Sequence, residues 1–131
     1  MSPPRLARAT AAAAALAIAA TGCGGATDDR PARWSFISAT IIEPSCATVS
    51  CHSAITRRGG VDLSTREIGY QTLVKNSGGM TYYVYPSYPQ YSTIVTLMNA
   101  EGSIRMPPDN PLPQADIQLI ETWIAAGALD N

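Results

Sequence analysis

Two cysteines and the only histidine of the chain stand together in one short segment. It reads Cys46-Ala47-Thr48-Val49-Ser50-Cys51-His52. A cysteine pair that ends in Cys-His is the attachment pattern of c-type haem, in which both thiols form thioethers and the imidazole binds the iron. The pattern therefore predicts a covalently bound haem c, attached at Cys46 and Cys51, with His52 as the proximal iron ligand.

The spacing of the two cysteines is wider than usual. The common form has two residues between them, whereas four separate Cys46 from Cys51. In an α-helix, residues five positions apart point in directions about 140° apart, so they face different ways. The intervening segment therefore cannot be regular helix if both thiols hold one porphyrin. Thr48, Val49 and Ser50 suit this demand because they are poor helix formers.

A second axial ligand has to come from a methionine, because the single histidine excludes bis-histidine ligation. Met1 is expected to be lost with the signal peptide, Met80 follows two glycines, and Met98 lies on the apolar face of a predicted helix. Met106 is favoured because Pro107 and Pro108 hold its loop extended and stiff. The alternative is that Met106 is a loop residue that fills the core. An axial thioether raises the reduction potential relative to a nitrogen ligand.

The N-terminal residues have the pattern of an export signal. Arg5 and Arg8 precede an apolar, alanine-rich run at residues 11–20, which is too short to span a bilayer. We therefore predict that residues 1–22 form a signal peptide.

The residues that follow this signal suggest a lipid anchor. Ala20-Thr21-Gly22-Cys23 resembles the bacterial lipobox, in which the cysteine is lipidated. The alternative is an ordinary cleavage site near Ala20 that leaves Cys23 free. With lipidation, residues 23–33 form a flexible tether, and the protein is periplasmic or otherwise in the cell envelope, anchored to a membrane through Cys23.

The length and composition of the chain predict one small globular domain. The chain has 131 residues, of which 46% are hydrophobic and 15% are charged, and it contains ten glycines and ten prolines. Such a length suits a single core, and such a composition suits neither a disordered tail nor a coiled coil. Nine basic and ten acidic side chains give a formal charge of −1. A nucleic acid partner is therefore not expected.

Apolar spacing predicts an all-α domain over residues 34–131. A first helix around residues 36–41 should stop before Pro44. A capping box of Ser64 and Glu67 opens a second helix, which ends before Asn76.

Two further helices are predicted nearer the C-terminus. One covers residues 92–99, and the last covers residues 114–126, where Trp123 packs against the first helix. Before them comes a tyrosine-rich segment, residues 80–91, which prolines break into an extended piece and a turn. We expect its rings to cover the small core, with their hydroxyls in water. The alternative is that they line a haem edge or a docking surface.

Several segments in combination point to a known family. They are Cys51-His52, residues 60–67, Pro86, residues 89–92, Arg105-Met106-Pro107-Pro108, Leu112, Ile117 and residues 123–128. Over most of residues 36–128 the chain resembles the small cytochrome c modules of planctomycete and myxobacterial exported proteins. It departs from them in its cysteine spacing and in Ser87-Tyr88, where the family favours a glycine-containing turn.

The resemblance implies a cytochrome c-like fold, with three to five short helices and long loops around one covalent haem. It implies that Cys46, Cys51 and His52 bind the haem and that Met106 is the distal ligand. With both axial positions filled, the protein would carry single electrons between redox partner proteins and would not be an enzyme.

Alternatives to this interpretation remain open. Cys46 and Cys51 can form a disulfide in a haem-free structural or interaction module. Zinc is a weaker option, because two thiolates and one imidazole lack a fourth ligand. Arg57, Arg58 and Arg105 can pair with the propionates of a haem, although solvated or loop roles are more common for such residues.

Overall fold

The computed structural model describes Met1, residues 28–75 and residues 83–131. The rest of the predicted signal peptide, the predicted lipidation site Cys23, and Met80 lie outside these residues. In the described part the regular structure consists of helices and helical turns, with no strand. This confirms the all-α expectation. None of the helices described is long and apolar enough to cross a membrane.

The first helix, α1, runs without a break over residues 34–46. It consists of α-helical turns at Trp34–Ile37 and Glu43–Cys46 and, between them, a wider π turn at Ser38–Ile42. The expectation that α1 stops before Pro44 is wrong, because the helix continues through this proline to Cys46. In the π turn the Glu43 amide donates to the Ser38 carbonyl, five residues back. This wider turn relieves the contact that a proline ring makes with the preceding turn of an α-helix.

The second helix, α2, covers residues 66–75 as an α-helical part and a π-helical part, Arg66–Tyr70 and Gln71–Lys75. The helix is capped by Thr65, whose Oγ1 accepts a hydrogen bond from the Ile68 amide at 3.3 Å. The prediction of Ser64 as the cap was one residue early. The Ser64 amide instead donates to the Asp62 carboxylate at 3.0 Å, which places Ser64 in the turn before the helix.

The third and fourth helices confirm the two C-terminal helices that the apolar spacing predicted. The third, α3, is Thr93–Met98, and it buries Val95 and Met98. The fourth, α4, is Gln114–Ala125. It ends where Gly127 takes a φ of +103°, a conformation that favours glycine.

The core is centred on two stacked tryptophans from the two ends of the domain. Trp34 of α1 and Trp123 of α4 have ring centroids 5.0 Å apart, and both side chains are fully buried. The Nε1–H of each indole has a hydrogen-bond partner. Trp34 donates to the Arg66 carbonyl, and Trp123 donates to the Leu129 carbonyl. The predicted packing of Trp123 against the first helix is confirmed. This contact joins α1 to α4 and leaves α2 and α3 to enclose the space beside the cysteine segment.

Candidate functional site

The cysteine segment forms a turn that folds back on the end of α1. After Cys46 the chain leaves the helix at Ala47. The Cys51 amide donates to the Thr48 carbonyl at 2.9 Å, and the His52 amide donates to the Cys46 carbonyl at 3.1 Å. The segment between the cysteines is therefore not helical, as a shared porphyrin would require. The second bond returns His52 to the residue that carries the first thiol.

Backbone bonds from the following loop fix this turn on its other side. The Arg58 amide donates to the Cys51 carbonyl at 3.0 Å, and the Leu63 amide donates to the His52 carbonyl at 2.8 Å. His52 is thus held through both its N–H and its C=O. These two bonds fix the backbone from which the imidazole projects.

The two thiols are free and differ in their environment. Burial raises the pKa of the Cys46 thiol to about 11, because a partly buried site disfavours the thiolate. Hydrogen bonds from the hydroxyl groups of Thr48 and Ser50 lower the pKa of Cys51. Cys51 is therefore the more readily ionised of the two.

Met106 reaches the same region from the loop after α3. Its amide donates to the carbonyl of Leu97, in the last turn of α3, at 3.0 Å. Its side chain is half-buried. The Leu97 contact fixes the loop at the residue that the sequence predicted as the distal ligand.

All four predicted haem-binding residues border one cavity of about 410 Å³, namely Cys46, Cys51, His52 and Met106. This volume lies within the range of small-molecule and cofactor sites, about 300–1,000 Å³. Most of the remaining wall is apolar and includes Leu63, Leu73, Ile94 and Met98. The sequence did not distinguish these wall residues from ordinary core residues, because both appear as apolar positions on helices or beside them.

The imidazole of His52 has an unused bonding atom. Its Nδ1 is buried and has no hydrogen-bond partner among the described residues. A buried polar atom without a partner costs about 1–3 kcal/mol. A buried nitrogen of this kind calls for a partner that the described residues do not supply.

The three arginines near the cysteine segment and the Met106 loop have different roles. Arg57 forms an ion pair with Asp62, with 3.0 Å between Nε and Oδ2. Arg105 donates to the carbonyls of Pro107 and Pro108. Arg58 is exposed and lines the cavity. The geometry therefore leaves Arg58 as the guanidinium best placed for an acidic group of a ligand.

The tyrosine segment departs from its expected role. Tyr85, Tyr88 and Tyr91 are exposed and pack on one another, with ring centroids 5.3–6.4 Å apart. The expectation that the rings cover the core is wrong for these three. Ser92 holds the turn, since its Oγ accepts from the Tyr85 amide and donates to the Tyr88 carbonyl. Tyr83, in contrast, packs against the core and lines the cavity.

Ser87 stands where the resembling family favours a glycine-containing turn. Its φ of +70° is in the left-handed region that glycine adopts most easily. Its amide donates to the Ile124 carbonyl at 2.8 Å and so ties the turn to α4. The departure in sequence therefore keeps a glycine-like backbone.

Other metal chemistry has little support at this site. In the part of the chain that the structure describes, no three His, Cys, Asp or Glu side chains are grouped so that they could hold a metal ion. Cys46, Cys51 and His52 are thus not gathered as zinc ligands.

Comparison with known protein families, curated proteins and solved structures found no match for this chain.

Proposed function

We propose that this chain is an exported, lipid-anchored cytochrome that carries single electrons on one covalently attached haem c and is not an enzyme. One observation carries the proposal. Cys46, Cys51, His52 and Met106 border a single cavity, although Met106 belongs to a distant part of the sequence. Three of these residues follow from the attachment pattern, and the fourth from the stiff Met-Pro-Pro loop.

The residues present fit a c-type haem. Cys46 and Cys51 are free thiols at the cavity, as thioether formation requires. His52 lines the cavity, and backbone hydrogen bonds hold it on both sides. The wall is largely apolar, which suits a macrocycle, and the exposed Arg58 offers a cation to acidic groups at its edge.

Each residue then has a separate task. The two thiols would anchor the cofactor, and the imidazole of His52 and the thioether of Met106 would bind its iron. When bound, haem c supplies an iron that alternates between ferrous and ferric states. The backbone bonds at His52 and Met106 hold the backbone from which both side chains project. If His52 and Met106 both bind the iron, they would leave no position on it for a substrate, which favours a carrier over a catalyst.

Location and partners follow from the N-terminal pattern. The signal peptide directs export, and lipidation at Cys23 attaches the domain to a membrane of the cell envelope. The partners are redox proteins at that surface. The balanced charge of the chain gives no reason to propose nucleic acid.

The proposal is tested by producing the protein with a haem-attachment system in an oxidising compartment. We expect a red protein whose haem remains bound through acid-acetone extraction. The double variant Cys46→Ser, Cys51→Ser should lose all covalent haem. Cys23→Ser is the matched control, because it removes a thiol and the anchor but leaves the haem attached.

A colourless wild-type product with a Cys46–Cys51 disulfide would contradict the proposal. It would favour the haem-free structural or interaction module instead. Haem that is extracted equally from the wild type and the double variant would also reject covalent attachment.

A further inference from the structure

The loop that carries Met106 cannot hold itself in place through its own backbone. Pro107 and Pro108 have no N–H groups, so the two residues after Met106 donate no backbone hydrogen bonds. Their carbonyls need donors from elsewhere. Two backbone bonds, from the Arg105 amide to the Gly102 carbonyl and from the Met106 amide to the Leu97 carbonyl, fix only the start of the loop.

The side chain of Arg105 supplies the missing donors. Its Nη2 donates to the Pro108 carbonyl at 3.0 Å, and its Nε donates to the Pro107 carbonyl at 3.4 Å. The guanidinium is partly buried and spans both prolines. One planar group with several fixed donors can make two such bonds at once, which an ammonium group on a flexible stem does less well.

We infer that Arg105 is the positioning residue for Met106, and that it holds the Met-Pro-Pro loop so that the thioether stays at the cavity. This role rests on the proposed function, in which Met106 is the distal ligand. It replaces the propionate role as the assignment for Arg105, because its guanidinium is engaged by the two prolyl carbonyls. Arg105 acts through the loop and does not itself touch the cofactor.

The neighbouring arginines show that this arrangement is specific. Arg57 uses its guanidinium on Asp62 and on the Ala54 carbonyl. Arg58 lines the cavity without a side-chain hydrogen bond to the described residues. Among the three candidates, only Arg105 is bonded to the segment that contains Met106.

The test compares Arg105→Ala and Arg105→Lys with Arg33→Ala as the matched control. Arg33 is exposed, and its side chain makes no hydrogen bond or ion pair within the described part of the chain. Two properties of the purified full-length protein are measured. One is hydrogen exchange of the Met106 amide, which is bonded to the Leu97 carbonyl, and the other is the sulfur-to-ferric-iron charge-transfer band together with carbon monoxide binding.

We expect Arg105→Ala to raise the exchange rate of the Met106 amide at least several-fold. We also expect it to weaken the sulfur band and admit carbon monoxide. Arg105→Lys should recover part of both properties, and Arg33→Ala should resemble the wild type. A merely structural role would lower thermal stability without these local changes.

The outcomes separate this inference from the proposed function. If Met106→Ala abolishes the sulfur band while Arg105→Ala behaves like Arg33→Ala, the positioning role is wrong and the ligand assignment stands. If the wild type has no haem or no sulfur band, the proposed ligation fails. The exchange measurement then still decides whether Arg105 holds the loop, and unchanged exchange in Arg105→Ala overturns that part too.

Discussion

Two methionines border the same cavity, and the structure predicts opposite consequences for their loss. Met98 is 5% exposed and belongs to the core, so Met98→Ala should lower the free energy of unfolding by about 2–5 kcal/mol. Met106 is only half-buried, so Met106→Ala should cost about 1 kcal/mol in packing. The iron site should respond in the reverse order. Met106→Ala should remove the axial sulfur, lower the reduction potential and open the iron to carbon monoxide, whereas Met98→Ala should leave the ligation intact.

The assay combines thermal unfolding with potentiometry and carbon monoxide titration on both variants. In a domain of this size, 1 kcal/mol corresponds to a shift in Tm of about 4–8 °C, so the two variants should be clearly resolved. Met80→Ala is a third variant, at a position outside the described residues, and should change neither the potential nor carbon monoxide binding. The reasoning is refuted if Met98→Ala or Met80→Ala, and not Met106→Ala, opens the iron to carbon monoxide.

Two further predictions concern the fold around the site. Hydrogen bonds from Ser64, and then the charge of Arg57, lower the pKa of Asp62. Its carboxylate therefore stabilises the fold above the ordinary aspartate range, near pH 4, and this contribution is lost as pH falls through the lowered pKa. Acid unfolding should show that Asp62→Asn removes this part of the pH dependence, and equal slopes in both proteins would contradict the assignment. Gly69→Ala should cost about 1–3 kcal/mol in denaturant unfolding, because the added Cβ would lie 3.2 Å from Trp34 Cζ2, and an unchanged midpoint would show that the indole can move aside.

The sequence alone determined what depends on near neighbours along the chain. Apolar spacing predicted α4 to within one residue at its C-terminal end, and it placed Val95 and Met98 on the inner face of α3. Thr48, Val49 and Ser50 are poor helix formers, and the segment between the thiols is a turn. These features follow from the helical period and from local propensity, which are written in consecutive residues.

The backbone of a preceding turn and contacts between distant residues decided the rest. Whether a proline ends a helix depends on the turn before it, and the π turn of α1 allowed the chain to pass Pro44. Tyr85 and Tyr83 have the same residue type, yet one is exposed and the other lines the cavity.

The partner of each arginine, and the placement of Met106 and His52 on one cavity, also depend on contacts between distant segments. Arg57 and Arg105 are the same residue type, but Arg57 pairs with Asp62 and Arg105 donates to the loop that carries Met106. Such partners meet only when the helices pack together. The apolar spacing within one segment carries no information about which other segment it will contact.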